Sequence, residues 1–254
     1  MRLLVLAGTE DGRELADALK QRGHEVLVST LTAYGADLAQ GQGLQARSGA
    51  MDEEGLTDLL RGSSFAALVD ATHPYAVRVK EMAKKVCANL SLPYLRWERS
   101  ALELEDHSYI HWAEDIPDAA RIAAGLGHRI MLTTGSNGLP EWVSLPLLKD
   151  KLLYVRVLPT SEVLARCESL GFKPNQIIAA QGPFSQAWDE AMFRQLDVEV
   201  VVAKESGKVG GTLEKVQACL SLNIPLVLIK RPVTENDSHN LTVAQFIKRL
   251  EELI

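Results

Sequence analysis

The sequence predicts an α/β protein built from parallel sheets in two doubly wound halves. Short apolar runs alternate with amphipathic stretches of helical period about ten times along the chain, and such alternation builds βαβ units. A polar, acidic stretch at 102–107 (LELEDH) separates two runs of these units. The first run opens with a turn of nucleotide-binding type. At 254 residues a single barrel also stays open. The acidic break and the opening turn favour two halves, 1–104 and 105–254.

The elements follow from period and punctuation. Residues 2–7 (RLLVLA) read as a strand ending at Gly8, and 10–21 as a helix with Leu15, Ala18 and Leu19 on its apolar stripe. Gly23 ends that helix and 25–29 (EVLVS) form the second strand. A short strand at 44–47 and a helix at 52–60, N-capped by Asp52, come next. Residues 65–70 form a strand that stops at Asp70-Ala71-Thr72-His73-Pro74-Tyr75. Pro74 forces His73 into an extended conformation and opens the helix at 75–89, whose Lys80, Lys84 and Lys85 read as a solvated face. A strand at 93–97 ends the first half. In the second half, strands are expected at 109–112, 129–132, 152–158, 177–180, 198–203 and 225–229. Helices are expected at 116–124, 161–170, 189–196, 213–222 and 242–253.

Composition excludes several classes. A net charge of -6 and a pI near 5.6 argue against nucleic-acid binding. No targeting segment opens the chain and no apolar run approaches the ~20 residues that span a bilayer, so a cytoplasmic, membrane-free protein is expected. Cys87, Cys167 and Cys219 are far apart, and neither they nor the His residues show ligand spacing, so no metal site is expected.

In an open parallel sheet, ligands bind at the carboxyl ends of strands. Asp70, Thr72, His73 and Tyr75 crowd one such end. The turn Gly8-Thr9-Glu10-Asp11-Gly12-Arg13 lacks GxGxxG, but two glycines four apart let the backbone approach a phosphate at a helix N-terminus. A capped tight turn without ligand remains the alternative. The second strand ends Ser29-Thr30 with no carboxylate for ribose hydroxyls, which disfavours NAD and leaves room for a phosphorylated ribose. Arg96 and Arg99 can bind acidic groups or form surface ion pairs. Three further strand ends collect small and polar residues: Thr133 to Ser136, Gly182 to Ser185, and Lys204 with Ser206, Gly207, Gly210, Gly211 and Thr212. Each alone fits turn chemistry; together they suggest a site for a ligand with many carboxylates.

Taken together, LAGTEDGREL, VDATHPYA, YLRWERS, TTGS, QGPFS, KESGKVGGTLEK and IKRP, in this order along most of the chain, resemble the precorrin-6A reductase family of cobalamin biosynthesis. Ala7 departs from the Gly common before GT, and Ser100 from the Pro that often follows the arginine. The resemblance implies two Rossmann-like halves facing a central cleft, with room for a strand exchanged between them. It implies an oxidoreductase acting on a CH–CH bond: NADPH-dependent reduction of one double bond in precorrin-6A, or its cobalt form, to the 6B product. A tetrapyrrole rich in carboxylates is then the substrate, and transient contacts with other enzymes of the pathway are expected. Gly8, Thr9, Gly12, Arg13, Ser29, Thr30 and Thr72 are assigned to NADPH. Ser136, Ser185, Lys204, Gly211 and Thr212 are assigned to macrocycle carboxylates. His73 and Tyr75 are the candidates for the reacting centre, with His73 the first candidate proton donor because its ordinary pKa lies near neutrality. Two competing readings share the βα alternation: another two-lobed α/β enzyme, such as a sugar-nucleotide transferase, and a binding protein that closes on its ligand without turnover.

Overall fold

A computed structural model describes residues 1–98, 102, 104–207, 211–232 and 241–254; Arg99, Ser100 and 208–210 of the Gly-rich loop lie outside them. The chain forms two units, Met1–Ser100 with Pro232–Ile254, and Ala101–Arg231.

The first unit contains β1 (Arg2–Ala7), α1 (Glu10–Gln21), β2 (Glu25–Thr30), α2 (Ala33–Gly41), β3 (Gln45–Ser48), α3 (Glu53–Gly62), β4 (Ala67–Ala71), α4 (Val77–Leu90) and β5 (Tyr94–Arg96). Its strands pair in parallel in the order β3-β2-β1-β4-β5. β1 is covered on both faces, so it carries no polar alternation. Leu3, Val5 and Ala7 face α1, while Leu4 and Leu6 join Leu56, Leu60, Ala83 and Val86 of α3 and α4.

The last helix, α10 (Val243–Leu253), belongs to this unit rather than to the second half expected from the break near 105. Its stripe of Phe246, Ile247 and Leu250 is buried with Leu15 and Leu19 of α1, Val69 of β4 and Leu95 of β5. The reason is topological. β5 leads out of the unit instead of into a helix of its own, and α10 covers the face thereby left open. Trp97 Nε1 donates to the Leu241 carbonyl at 3.1 Å, tying the outgoing chain to the returning one. Among the described residues the segment that returns to the first unit is a helix, and the strands from β1 to β11 pair within their own units; any exchanged strand would lie outside the described residues.

The second unit contains β6 (Ile110–Ala113), α5 (Ile116–Leu126), β7 (Arg129–Leu132), α6 (Leu139–Ser144), β8 (Leu152–Val157), α7 (Ser161–Ser169), β9 (Ile177–Ala179), α8 (Gln186–Gln195), β10 (Val200–Lys204), α9 (Thr212–Leu222) and β11 (Leu226–Ile229). Its strands, again parallel, run β6-β11-β10-β7-β8-β9. Buried Glu205 anchors both ends of the unit. Its Oε1 accepts from Leu102 N at 3.1 Å and from Arg231 Nη2 at 3.1 Å, and Arg231 Nε donates to Oε2.

Two helices, α2 and α6, are absent from the sequence expectation. α2 buries only Gly35, Ala36 and Ala39, a stripe too small to give a strong period, although Thr32 caps it. α6 has six residues. Among the described residues no helix is long and apolar enough to cross a membrane. Cys87, Cys167 and Cys219 are buried and free.

Phe246→Ala tests the assignment of α10. It should lower the unfolding free energy by about 3–4 kcal/mol in urea titration, the cost of a large core cavity. A loss below about 1 kcal/mol would mean that α10 is not part of the first unit's core.

Candidate functional site

In the first unit, β1 leads through α1 towards β2 while β4 leads through α4 towards β5, the opposite way. The sheet's order therefore reverses between β1 and β4, which is where open sheets hold ligands. Ala7 pairs with Ala71 there, so the Gly8–Arg13 turn and the Asp70–Tyr75 turn are neighbours. Only glycine allows this approach at position 12. A Cβ on Gly12 would stand 2.9 Å from the Ala71 carbonyl oxygen and 3.0 Å from Ala7 Cβ. Gly8 is exposed with nothing within 4 Å of a built Cβ. Thr9 Oγ1 accepts from Gly12 N at 3.4 Å and so caps α1. Arg13 Nε is buried with no hydrogen-bond partner among the described residues.

At the end of β2, Ser29 and Thr30 are buried. Ser29 Oγ accepts from Arg47 Nη1 at 3.1 Å, and Thr30 Oγ1 donates to the carbonyls of Thr32 at 2.8 Å and Arg47 at 3.3 Å. Both hydroxyls thus hold Arg47 and the following loop. Arg47, on β3 opposite Ser29, is the cation that the sequence reading missed. Its signal was a basic residue inside a short, polar strand (QARS) beside the end of β2.

The end of β4 is organised by a buried charge. Asp70 is fully buried, and four donors converge on its carboxylate. Oδ1 accepts from Thr72 N at 2.9 Å and Thr72 Oγ1 at 2.7 Å; Oδ2 accepts from Tyr94 OH at 2.6 Å and Arg96 Nη1 at 3.0 Å. Arg96, also buried, binds Glu98 Oε2 through Nε and Nη2, each at 3.0 Å. Burial, reinforced by the Asp70 carboxylate, pushes the Tyr94 phenol up, so it stays a donor. Asp70 is therefore a framework for the turn and not an available base. Arg96, expected as a ligand-binding or surface arginine, is an interior counter-ion. The Thr72 hydroxyl is likewise engaged, by Asp70 and by Arg96 Nη1 at 3.4 Å. His73 Nδ1 accepts from Tyr75 N at 3.4 Å, with the two rings 5.4 Å apart. Lys80, expected on a solvated face with Lys84 and Lys85, is 4% exposed and donates to the Pro74 carbonyl. Helix α4 rotates it inward beside Ala83, because i and i+3 share a face.

In the second unit the order reverses between β7 and β10. Thr133 seals that junction, donating from N and Oγ1 to the Val202 carbonyl at 2.8 and 2.9 Å. Thr133 to Ser136 and Lys204 to Gly207 are thereby brought together. Burial pushes the half-buried Lys204 ammonium down. Two of the expected ligand groups serve the fold instead. Thr212 is buried, with Oγ1 accepting from Ser206 N at 3.2 Å. Ser185 caps α8, accepting from Trp188 N at 3.3 Å, at the β9 edge two strands from β7. Gly211 N-caps α9 at φ +68°, a backbone that suits glycine.

Beside that edge lies a second buried cluster. Arg156 of β8 pairs with Asp189 of α8, its guanidinium 4.2 Å from the Phe184 ring centre, and Phe184 stacks on Trp188 at 4.3 Å. Lys215 of α9 is 6% exposed; its Nζ donates to the Gly211 carbonyl at 2.9 Å. Burial, then the Arg156 charge, lowers Lys215 to about 8.

A buried lysine lowered in this way stabilises the neutral form. Between pH 8 and 10.5 the unfolded chain holds a proton that the folded one has released, so Lys215 makes stability rise with pH across that window. Below pH 8 both states are protonated and the penalty is full. Lys215→Met should therefore raise the unfolding free energy at pH 7 by up to about 3 kcal/mol. The gain should shrink towards pH 10.5 in paired denaturant titrations; no gain at pH 7 would contradict the buried charge.

The family model described as precorrin-6x reductase CbiJ/CobK matches residues 2–252. A cobalt-precorrin-6A reductase of Priestia megaterium is 36% identical over 92% of this chain and 91% of its own length. That of Salmonella typhimurium strain LT2 is 36% identical over 98% and 95%. A precorrin-6A reductase of Rhodococcus erythropolis is 31% identical over 91% and 89%. The solved structure of a CobK precorrin-6A reductase superposes with a TM-score of 0.78, at 28% identity, over 99% of this chain and 97% of that one. Through its sequence over nearly its whole length and through its two parallel-sheet units, the chain belongs to the precorrin-6x reductase CbiJ/CobK family.

Proposed function

We propose that the protein reduces one double bond of a precorrin-6A macrocycle, metal-free or cobalt-loaded, with NADPH as reductant. The observation that carries the cofactor reading is the β1/β4 junction. There a glycine-only approach sets the α1 N-terminus against the end of β4, with Arg47 at the neighbouring strand ends.

The residues present fit a phosphorylated dinucleotide. Gly8, Thr9 and Gly12 offer open backbone and a helix N-terminus to a diphosphate. The buried Arg13 Nε, without a hydrogen-bond partner among the described residues, is a donor available to a phosphate. Arg47, steadied by Ser29 and Thr30, suits a ribose 2′-phosphate, where a carboxylate would have suited the free hydroxyl. NADPH, when bound, supplies the hydride; the chain's residues orient the partners and exclude water.

Thr72, His73 and Tyr75 border this position. In the neutral ring His73 Nδ1 accepts from Tyr75 N, which leaves the ring proton on Nε2; a donated proton would come from the imidazolium form, in which both ring nitrogens carry protons. In the second unit, Ser136, Lys204 and Gly211 are the groups proposed to meet macrocycle carboxylates; Thr212 and Ser185 shape their loops.

Anaerobic incubation with NADPH and precorrin-6A, metal-free and cobalt-loaded in parallel, tests the reading. Product heavier by two hydrogens with either substrate is expected. Absence of turnover with both, beside an active control reductase, would overturn it and return the transferase reading. Arg47→Ala should raise KM for NADPH at least tenfold while leaving KM for NADH within about twofold, the mark of a lost phosphate contact. His73→Asn should lower kcat by roughly 10²-fold if His73 is the proton donor. A kcat near that of the parent would remove it from that role.

A further inference from the structure

Seven helices cap their N-termini with a side chain: α1 by Thr9, α2 by Thr32, α3 by Asp52, α5 by Asp115, α7 by Thr160, α8 by Ser185 and α10 by Thr242. Helix α4 does not. Its N-cap is Ala76, which has no side-chain acceptor. Instead, Lys80, the fourth residue of α4, folds back and donates to the Pro74 carbonyl, which ties down the turn before the helix without capping its N–H groups. A related contact, with a shorter reach to the carbonyl of the N-cap residue itself, occurs in the second unit. There α9 begins at Gly211 without a side-chain cap, and Lys215, again the fourth helical residue, donates to the Gly211 carbonyl at 2.9 Å. Both helices follow a strand at which the order of its sheet reverses, β4 and β10.

A lysine here is costly on two grounds. Its charge opposes the positive end of the helix dipole, and its ammonium leaves water. Methionine would fill a similar space without either penalty. What the ammonium provides is a strong donor to one backbone carbonyl inside the turn that carries His73 and Tyr75. Pro74 has no N–H of its own, so this turn has one internal tie fewer than an ordinary one. Its first half is held by Asp70 through Thr72 N, and its middle by Ala76 N donating to the His73 carbonyl at 2.9 Å. Lys80 holds the segment between.

We infer that Lys80 is a positioning residue: through the Pro74 carbonyl it fixes the His73-Pro74-Tyr75 turn, and so the orientation of the imidazole and the phenol in the reduction. The inference rests on the placement of His73 and Tyr75 at the reacting centre. The buried ammonium ties the turn that precedes the helix, and its benefit is realised in the geometry of that turn rather than in stability.

The test pairs Lys80→Met and Lys80→Arg with two readouts, hydrogen–deuterium exchange of the apo protein and steady-state reduction of precorrin-6A. In Lys80→Met, amides 73 and 75–77 should exchange at least tenfold faster while those of β4 keep their protection. Its kcat should fall at least tenfold, KM for NADPH should stay within threefold, and the isotope effect from 4-deuterated NADPH should rise as hydride transfer becomes slower. Lys80→Arg, which keeps the charge and the donor, should restore a protected turn and a kcat within threefold. A folded Lys80→Met with parental exchange at the turn, or with a loosened turn and parental kcat, would overturn the inference. If Lys80→Met does not fold, Lys80→Arg decides: a protected turn with a kcat within threefold supports the inference, and any other result overturns it. If the unaltered enzyme itself does not turn over, the reductase reading fails, and the exchange readout still decides whether Lys80 holds the turn.

Discussion

The closest constraint in the first unit is the contact between the first turn of α1 and the end of β4. A hydrogen at the Gly12 α-carbon is tolerated where a methyl would sit 2.9 Å from a carbonyl oxygen. That single approach sets how deeply α1 seats on the sheet, and so where its N-terminus and the exposed Gly8 stand. It also makes the junction of β1 and β4 a place where two turns with different chemistry meet: one of backbone amides and glycine, the other of a hydroxyl, an imidazole and a phenol.

Around that junction the protein keeps charged groups inside and satisfies them locally. Asp70 takes four hydrogen bonds, and its partner Arg96 is shared with Glu98. A buried ion pair adds little net stability over an apolar pair of similar volume, because desolvation offsets the attraction. Its use is geometric. Asp70 binds the amide of Thr72 in the turn just past β4, Arg96 ends β5, and the carboxylate between them fixes the turn relative to the sheet. Lys80 does the same from the helical side. The polar residues that crowd the end of β4 thus divide by function. Some make the scaffold, and His73 and Tyr75 are presented by it.

The two units solve one topological problem in different ways. A chain that leaves its first sheet after β5 leaves one face without a helix, and α10 returns to cover it. The segments that carry the chain out and back are fastened within each unit, by Trp97 to Leu241 in the first and by Glu205 to Leu102 and Arg231 in the second. Glu205 directly follows Lys204 on β10, so the residue that anchors both ends of the second unit is next to a group proposed to meet substrate.

The amino-acid sequence by itself determined the α/β class, the alternation of strands and helices, and the family. These are written in local periodicity and in motifs contiguous along the chain. It also marked the turns after β1, β4, β7 and β10, since a strand end rich in glycine and hydroxyls is visible without knowing its neighbours. Tertiary structure alone decided which of those ends adjoin, because strand order is set by pairing between residues far apart in sequence. It decided the home of α10, whose amphipathic stripe states that it needs a core but not which one. It moved Lys80 and Lys215 from expected or unremarked surface positions into the interior, and it spent Thr72, Ser185 and Thr212 on the framework. A side chain's type announces what it can bond. Only the packed neighbours decide whether that capacity is already used, because a buried polar group must find its partner wherever the fold supplies one.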